Sequence, residues 1–152
     1  MLRPTSDDLG ALPLFGGVPA EALQRFAERA EVVDVDAGTV IFTEGDPARS
    51  LYVLQSGALE VVKRCTSPTH DGECHLAPIK PGECFGEMSF IDMQPRSATV
   101  RATEPSTLWV WTYTSIHERY RSDQKCGMLL VMNIARELSR RLRKTDELLA
   151  RM

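Results

Sequence analysis

Between residues 31 and 112 the apolar residues come in short runs, each cut within a few positions by a turn signal. The cuts fall at Asp36-Ala37-Gly38, Glu44-Gly45-Asp46, Ser56-Gly57, Pro81-Gly82 and Glu104-Pro105. Runs of this length, bounded by Gly, Pro, Asp and Ser, predict strands rather than helices. "EVVDVDAGTVIF" puts Val33 and Val35, then Val40 and Phe42, at alternate positions. "SLYVLQSGALEVVKR" predicts two strands joined as a hairpin at Ser56-Gly57, and "TVRATEPSTLWVWT" two more. Between these pairs "CTSPTHDGECH" (65–75) reads as a polar loop, followed by a short strand near 76–79. Many short strands at near-even spacing predict a β-sandwich or jelly roll.

Helical periodicity brackets that region. In "SDDLGALPLFGGVPAEALQRFAERA" (6–30), Ser6 or Asp7 can cap a first turn. A second helix starts near Pro19, with Ala22, Leu23, Phe26 and Ala30 on one face. "TSIHERYRSD" predicts a short helix capped by Thr114 or Ser115, and the sequence from Gln124 onward a long one without proline. On the long helix Met128, Val131, Ala135, Leu138, Leu142, Thr145 and Leu149 recur at three- and four-residue steps. Such a seam suits a two-stranded coiled coil or a helix lying on a sheet. The expected fold is mainly β with flanking helices: a helical start and β-roll over 6–112, and C-terminal lid or dimerisation helices over 113–152.

The 152 residues suit one domain with a real core. A net charge of −3 gives no global attraction to nucleic acid or to an anionic membrane. The longest apolar runs, such as "MLLVM", are too short to span a bilayer, and the first ten residues lack the layout of a signal peptide. A cytoplasmic location is expected, and with it reduced thiols at Cys65, Cys74, Cys84 and Cys126. Cys65, His70, Cys74 and His75 invite a zinc reading, but their spacing matches no compact finger, so no metal is expected. His70, His75 and His117 are too scattered for a metal-dependent enzyme, and no catalytic set is visible.

The stretch "FGEMSFIDMQPRSATV" (85–100) does not fit a purely structural role. Gly82 and Gly86 permit close backbone approach, and 86–91 reads as one helical turn after a strand. The first amides of such a turn are free to meet an anion. Arg96 adds the guanidinium fork best matched to phosphate oxygens, and Ser97 a hydroxyl beside it. Glu87 cannot bind phosphate; as an acceptor it suits a sugar hydroxyl. An exposed Glu87–Arg96 ion pair would explain the two charges, but not the glycines or the Pro95-Arg96-Ser97-Ala98 order. The residues describe a pocket for a phosphorylated sugar.

This stretch resembles the phosphate-binding cassette of the cyclic nucleotide-binding domain family, which includes catabolite-activator proteins and cAMP-dependent kinase regulatory subunits. "LPLFGGVPAEALQRFA" resembles the family's N-terminal helical motif, and "DAGTVIFTEGDPARSLYVLQSGALEV" its first strands. The resemblance implies that Glu87 accepts from the ribose 2′-hydroxyl and that Arg96 pairs with the cyclic phosphate. Phe85, Gly86 and Met88, with Ser97 and Ala98, would complete the phosphate shell. It also implies cAMP or cGMP as ligand, with cAMP favoured.

"RRLRKTDELL" resembles the family helix that covers the base, which makes Thr145 and Asp146 candidate base contacts. Thr145 on the seam can equally be a register-setting polar residue. The sequence stops at Met152 without the helix-turn-helix of the family's transcription factors, so no DNA binding is expected. The basic cluster Arg140, Arg141, Arg143 and Lys144 reads as a solvated face. The expectation is a stand-alone sensor, homodimeric through the long helix and signalling to a partner protein. The alternative is a scaffold that kept the fold and lost the ligand.

Overall fold

The computed structural model describes residues 3–152, the side chain of His70 excepted. Eight strands form two four-stranded antiparallel sheets. The first sheet contains β1 (Glu31–Val35), β3 (Ser50–Ser56), β6 (Cys84–Phe85) and β8 (Ser106–Thr112), in the order β1-β8-β3-β6. The second contains β2 (Val40–Phe42), β4 (Leu59–Ser67), β5 (His70–His75) and β7 (Thr99–Ala102), in the order β2-β7-β4-β5. Apart from β4 to β5, every connection between consecutive strands passes from one sheet to the other. This is the expected jelly roll.

The helices are α1 (Ser6–Gly10), α2 (Ala20–Arg29), α3 (Met88–Asp92), α4 (Tyr113–Ser122) and α5 (Gln124–Ala150), with a 3-10 turn at Pro13–Phe15. None among the described residues is long and apolar enough to cross a membrane.

Two apolar layers follow from the placing of the first sheet. Leu54, Phe85, Leu108 and Val110 face the second sheet and meet Leu59, Ile79, Val100 and Ala102. Leu51, Val53, Trp109 and Trp111 face the other way, onto Phe15, Phe26, Ile116, Leu130 and Ile134 of the helices. Burial on both faces explains why "LWVW" is continuously apolar instead of alternating. Trp111 is 1% exposed and donates its indole N–H to the Phe26 carbonyl at 2.8 Å. That bond satisfies its one polar atom.

Several sequence expectations change in the fold. Ser56-Gly57 is not a hairpin turn: β3 and β4 lie in different sheets, and β4 pairs with β5 and β7. Gly57 has φ +104°, and a Cβ there would stand 2.6 Å from the Ser106 Cα. The glycine therefore marks a tight crossing between sheets. The supposed loop at 65–75 is instead the β4–β5 hairpin, and 76–79 contributes only an isolated bridge from Ile79 to Leu59. Its polarity hid it, because an edge hairpin exposed on its faces needs no apolar alternation.

Cys65 and Cys74 form a disulfide across this hairpin, with Cα atoms 5.5 Å apart, so the expected reduced pair is oxidised here. Cys84 and Cys126 are buried free thiols. Helix starts also shift. Thr5 caps α1 with Asp8 in a reciprocal box, and Thr112 caps α4 by accepting from the Ser115 amide. Val33 points out at 37% exposure, while Val32 packs against the helical layer.

On α5 the packed stripe is Cys126, Gly127, Leu130, Asn133 and Ile134. Asn133 donates to the Leu14 and Gly16 carbonyls, at 2.9 Å each, and ties the helix to the 3-10 turn. The seam read from the sequence divides: Leu138 packs against the helical core, whereas Met128, Leu142 and Leu149 are each more than 60% exposed.

Candidate functional site

The Lys80–Glu83 turn, with Pro81 followed by Gly82 at φ +89°, feeds β6 directly into residue 86. Gly86 has φ +78°. A Cβ there would sit 2.8 Å from Arg96 Nη1 and 3.2 Å from the Ser50 carbonyl. No side chain fits, because the guanidinium occupies that space. The chain then enters α3, which ends at Met93 in the left-handed region, and the loop beyond returns to Arg96.

The main chain of Arg96 is clamped to the β2–β3 connection. Its N–H donates to the Asp46 carbonyl at 2.9 Å, and its carbonyl accepts from the Gly45 amide at 2.8 Å. Its side chain is 5% exposed and points inward. Nη1 donates to the Gly86 carbonyl at 3.0 Å and to Tyr113 Oη at 3.2 Å, and Nη2 donates to the Ser50 carbonyl at 2.8 Å. The guanidinium carbon lies 4.0 Å from the centroid of the Phe42 ring. Nε is buried without a hydrogen-bond partner. No carboxylate among the described residues forms an ion pair with Arg96. A guanidinium offers five N–H bonds, so Nε–H and one N–H of Nη2 are left over. This arrangement asks for an oxyanion, since a buried charge is costly unless it is compensated.

Glu87 is equally buried, at 4% exposure, but it is paired. Its Oε1 accepts from Arg141 Nη1 at 2.7 Å. Arg141 Nη2 also donates to the Cys84 carbonyl at 2.9 Å, and Nε lies 3.3 Å from a Glu137 oxygen. Burial pushes the Glu87 carboxyl above its ordinary range, and the Arg141 charge only partly opposes this. The neighbouring Cys84 thiol is also pushed up, chiefly by burial and then by the Glu87 charge. Glu137 is held below the ordinary carboxylate range, first by its hydrogen bond from Arg140. Glu87 and Arg96 thus do not pair with each other, and the ion-pair explanation of the sequence is excluded.

Phe85 and Ala98 are buried beside these groups, while Met88 and Ser97 are exposed at the rim. Ser97 Oγ lies 3.8 Å from Met88 Sδ, and the Ser97 carbonyl accepts from Lys63 Nζ at 2.6 Å. Lys63 also pairs with Glu44 at 3.0 Å. A depression of about 370 Å³ is lined by these two residues together with Arg64, Glu73 and Thr99. Thr145 and Asp146 are not gathered with the rest. Both are exposed on α5, and Thr145 Oγ1 donates to the Arg141 carbonyl at 3.0 Å, one turn back along the helix.

Sequence reasoning overlooked three contributors. Arg141 is not part of a solvated basic face, because it holds Glu87. The signal was the buried carboxylate itself, which needs a cation on some facing element. Tyr113 and Ser50 left no signal, since a helix-initiating tyrosine and a backbone carbonyl have no distinctive pattern.

The sequence profile of the cyclic nucleotide-binding domain matches residues 32–123. The chain is 36% identical over 140 residues to the cyclic AMP receptor protein of Thermus thermophilus, covering 88% of this chain and 59% of that one. It is 34% identical over 96 residues to the cAMP-dependent protein kinase regulatory subunit of Yarrowia lipolytica, covering 63% of this chain and 24% of that one. The chain spans less than two thirds of the length of either. Among solved structures, a cyclic nucleotide-binding domain from Methylobacillus flagellatus superposes with a TM-score of 0.82 at 25% identity, covering 91% of this chain and 76% of that one. Profile, relatives and fold agree: the chain belongs to the cyclic nucleotide-binding domain family.

Proposed function

We propose that this chain is a sensor of a cyclic nucleotide, with cAMP favoured over cGMP, that relays occupancy through α5 and performs no catalysis itself. One observation carries the reading. Arg96 is a buried guanidinium with no carboxylate partner and with Nε–H unpaired, a charge that a cyclic phosphodiester would complete. Glu87 lies one residue beyond Gly86 and supplies the acceptor for a ribose hydroxyl. The preference for cAMP draws on the names of the relatives from Thermus and Yarrowia.

The relay follows from the Arg141–Glu87 pair, which fixes the middle of α5 against the cassette. A ligand that draws on Glu87 has a different affinity for docked and undocked α5. Only such a difference can move the helix. The exposed seam of Met128, Leu142 and Leu149 gives a second copy or a protein effector a surface to receive the change. Thr145 and Asp146, about one helical turn past Arg141, are the base contacts this reading assigns. A cytoplasmic location completes the reading, with neither DNA nor membrane as partner.

A thermal-shift series with cAMP, cGMP and cyclic di-GMP tests it. At about a hundred times its dissociation constant a ligand adds about 2.7 kcal/mol of stability, which raises Tm by roughly 5–10 °C in a domain of this size. No shift with any of the three would leave the scaffold as the function.

A further inference from the structure

The hydroxyl of Tyr113, the first residue of α4, stands between two parts of the cassette. A phenol has one proton to give. An arginine N–H can only donate, so the Arg96 Nη1 contact at 3.2 Å makes Tyr113 Oη the acceptor there. The phenolic proton then goes to the Gly86 carbonyl, at 2.5 Å. That carbonyl also accepts from Arg96 Nη1 at 3.0 Å, which closes a triangle of hydrogen bonds between guanidinium, phenol and glycine carbonyl. The triangle and the Ser50 carbonyl occupy one end of the guanidinium and leave Nε–H and an Nη2–H unspent. Rotating Arg96 about its long axis would break the Tyr113 bond.

The tyrosine is itself held. Its ring packs against Phe90 of α3 with centroids 5.3 Å apart, and its amide donates to the Arg49 carbonyl at 2.8 Å. The half-buried phenol is pushed above its ordinary range by burial, so it keeps its proton at neutral pH.

We propose that Tyr113 is a positioning residue for the anion site: its hydroxyl fixes the rotation of the Arg96 guanidinium, and with it the direction in which the uncommitted Nη2–H meets the cyclic phosphate. This rests on the reading above that Arg96 grips that phosphate. Because Tyr113 begins α4, the same bond links the orientation of Arg96 to the C-terminal helices.

The test is isothermal calorimetry on the full chain, wild type and Tyr113→Phe, with cAMP and with the two phosphorothioate diastereomers of cAMP. These differ only in which exocyclic oxygen of the phosphate is replaced by sulfur. A guanidinium in a fixed rotation distinguishes them, and a loosely held one does not. The expected result is a five- to thirty-fold weaker affinity for cAMP in Tyr113→Phe, with the preference between diastereomers at least halved. Phenylalanine keeps the packing on Phe90, and the melting temperature without ligand reports any loss of fold. A lower Tm with an unchanged diastereomer ratio would make Tyr113 merely structural and overturn the proposal. So would wild-type affinity in Tyr113→Phe while Arg96→Ala abolishes binding. If wild type binds neither cAMP nor cGMP, the parent reading fails and takes the proposal with it. If wild type binds but Arg96→Ala binds equally well, the anion contact lies elsewhere and Tyr113 positions nothing.

Discussion

Arg141, in the middle of α5, holds Glu87 of the cassette through a 2.7 Å charge-assisted hydrogen bond, and the two ends of that bond sit in different environments. The carboxylate is 5% exposed at its side chain and the guanidinium 37%. Removing the arginine would strand a nearly dry carboxylate, whereas removing the carboxylate leaves the arginine Glu137 and solvent. The pair is therefore asymmetric. Arg141→Ala should lower the stability of the free protein by about 2–4 kcal/mol, and Glu87→Gln by clearly less. Chemical denaturation of both variants checks the order.

The raised pKa of Glu87 gives a pH signature. A carboxyl whose pKa is higher folded than unfolded binds its proton more tightly in the fold. Its contribution to stability is present at low pH and is lost as pH rises through the folded value. Glu137 is shifted the opposite way, so the total profile mixes the two. The difference between wild type and Glu87→Gln isolates Glu87: the variant should gain stability relative to wild type as pH rises from 4 to 8. Melting curves across that range, with a flat or falling difference, would refute the assignment.

Ligand binding should separate the two buried charges. Arg96→Ala should cost about 2–4 kcal/mol of cyclic-nucleotide affinity, because its phosphate partner would be desolvated. Glu87→Gln should cost less, and mainly for ligands with a free 2′-hydroxyl. Calorimetry with cAMP and 2′-deoxy-cAMP decides this; an equal loss for both ligands would count against a ribose contact.

Gly57 is tested by Gly57→Ala. The left-handed φ and the 2.6 Å approach to Ser106 Cα together should cost at least about 2 kcal/mol, or roughly 4–8 °C in Tm for a chain of this size. Gly38 also has positive φ, but nothing lies within 4 Å of a Cβ built there, so Gly38→Ala should cost less. Comparing the two melting temperatures isolates the steric part.

The Cys65–Cys74 disulfide closes a short segment, nine positions apart in sequence, and should contribute about 2–3 kcal/mol by restricting the unfolded chain. Reduction with dithiothreitol should lower Tm accordingly, while a Cys65→Ser/Cys74→Ser variant should not respond. Cytosolic disulfides are uncommon, so mass spectrometry of alkylated protein taken directly from cells also tests the expected compartment.

The fold class was open to reading because turn chemistry is local. Gly45, Gly82 and Gly86 each take a positive φ, as their neighbours in the sequence suggest. The cassette was legible for the same reason: Gly86, Glu87, Arg96 and Ser97 lie within twelve consecutive residues. Sheet membership was not local. Whether the chain turns back or crosses over at Gly57 depends on Ser106, 49 positions away, pressing against it.

The sequence by itself determined most of the strand segments, though not the β4–β5 hairpin, together with the position of the Gly86–Ala98 cassette and an apolar seam on α5. These follow from backbone sterics and from the period of apolar residues, which act between near neighbours. Only the tertiary structure decided that Arg141 bonds to Glu87 and Tyr113 to Arg96, so that the two buried charges are served by different partners. A buried charge must be matched in space, and the groups that match it come from whichever element packs opposite, with no constraint on their distance along the chain.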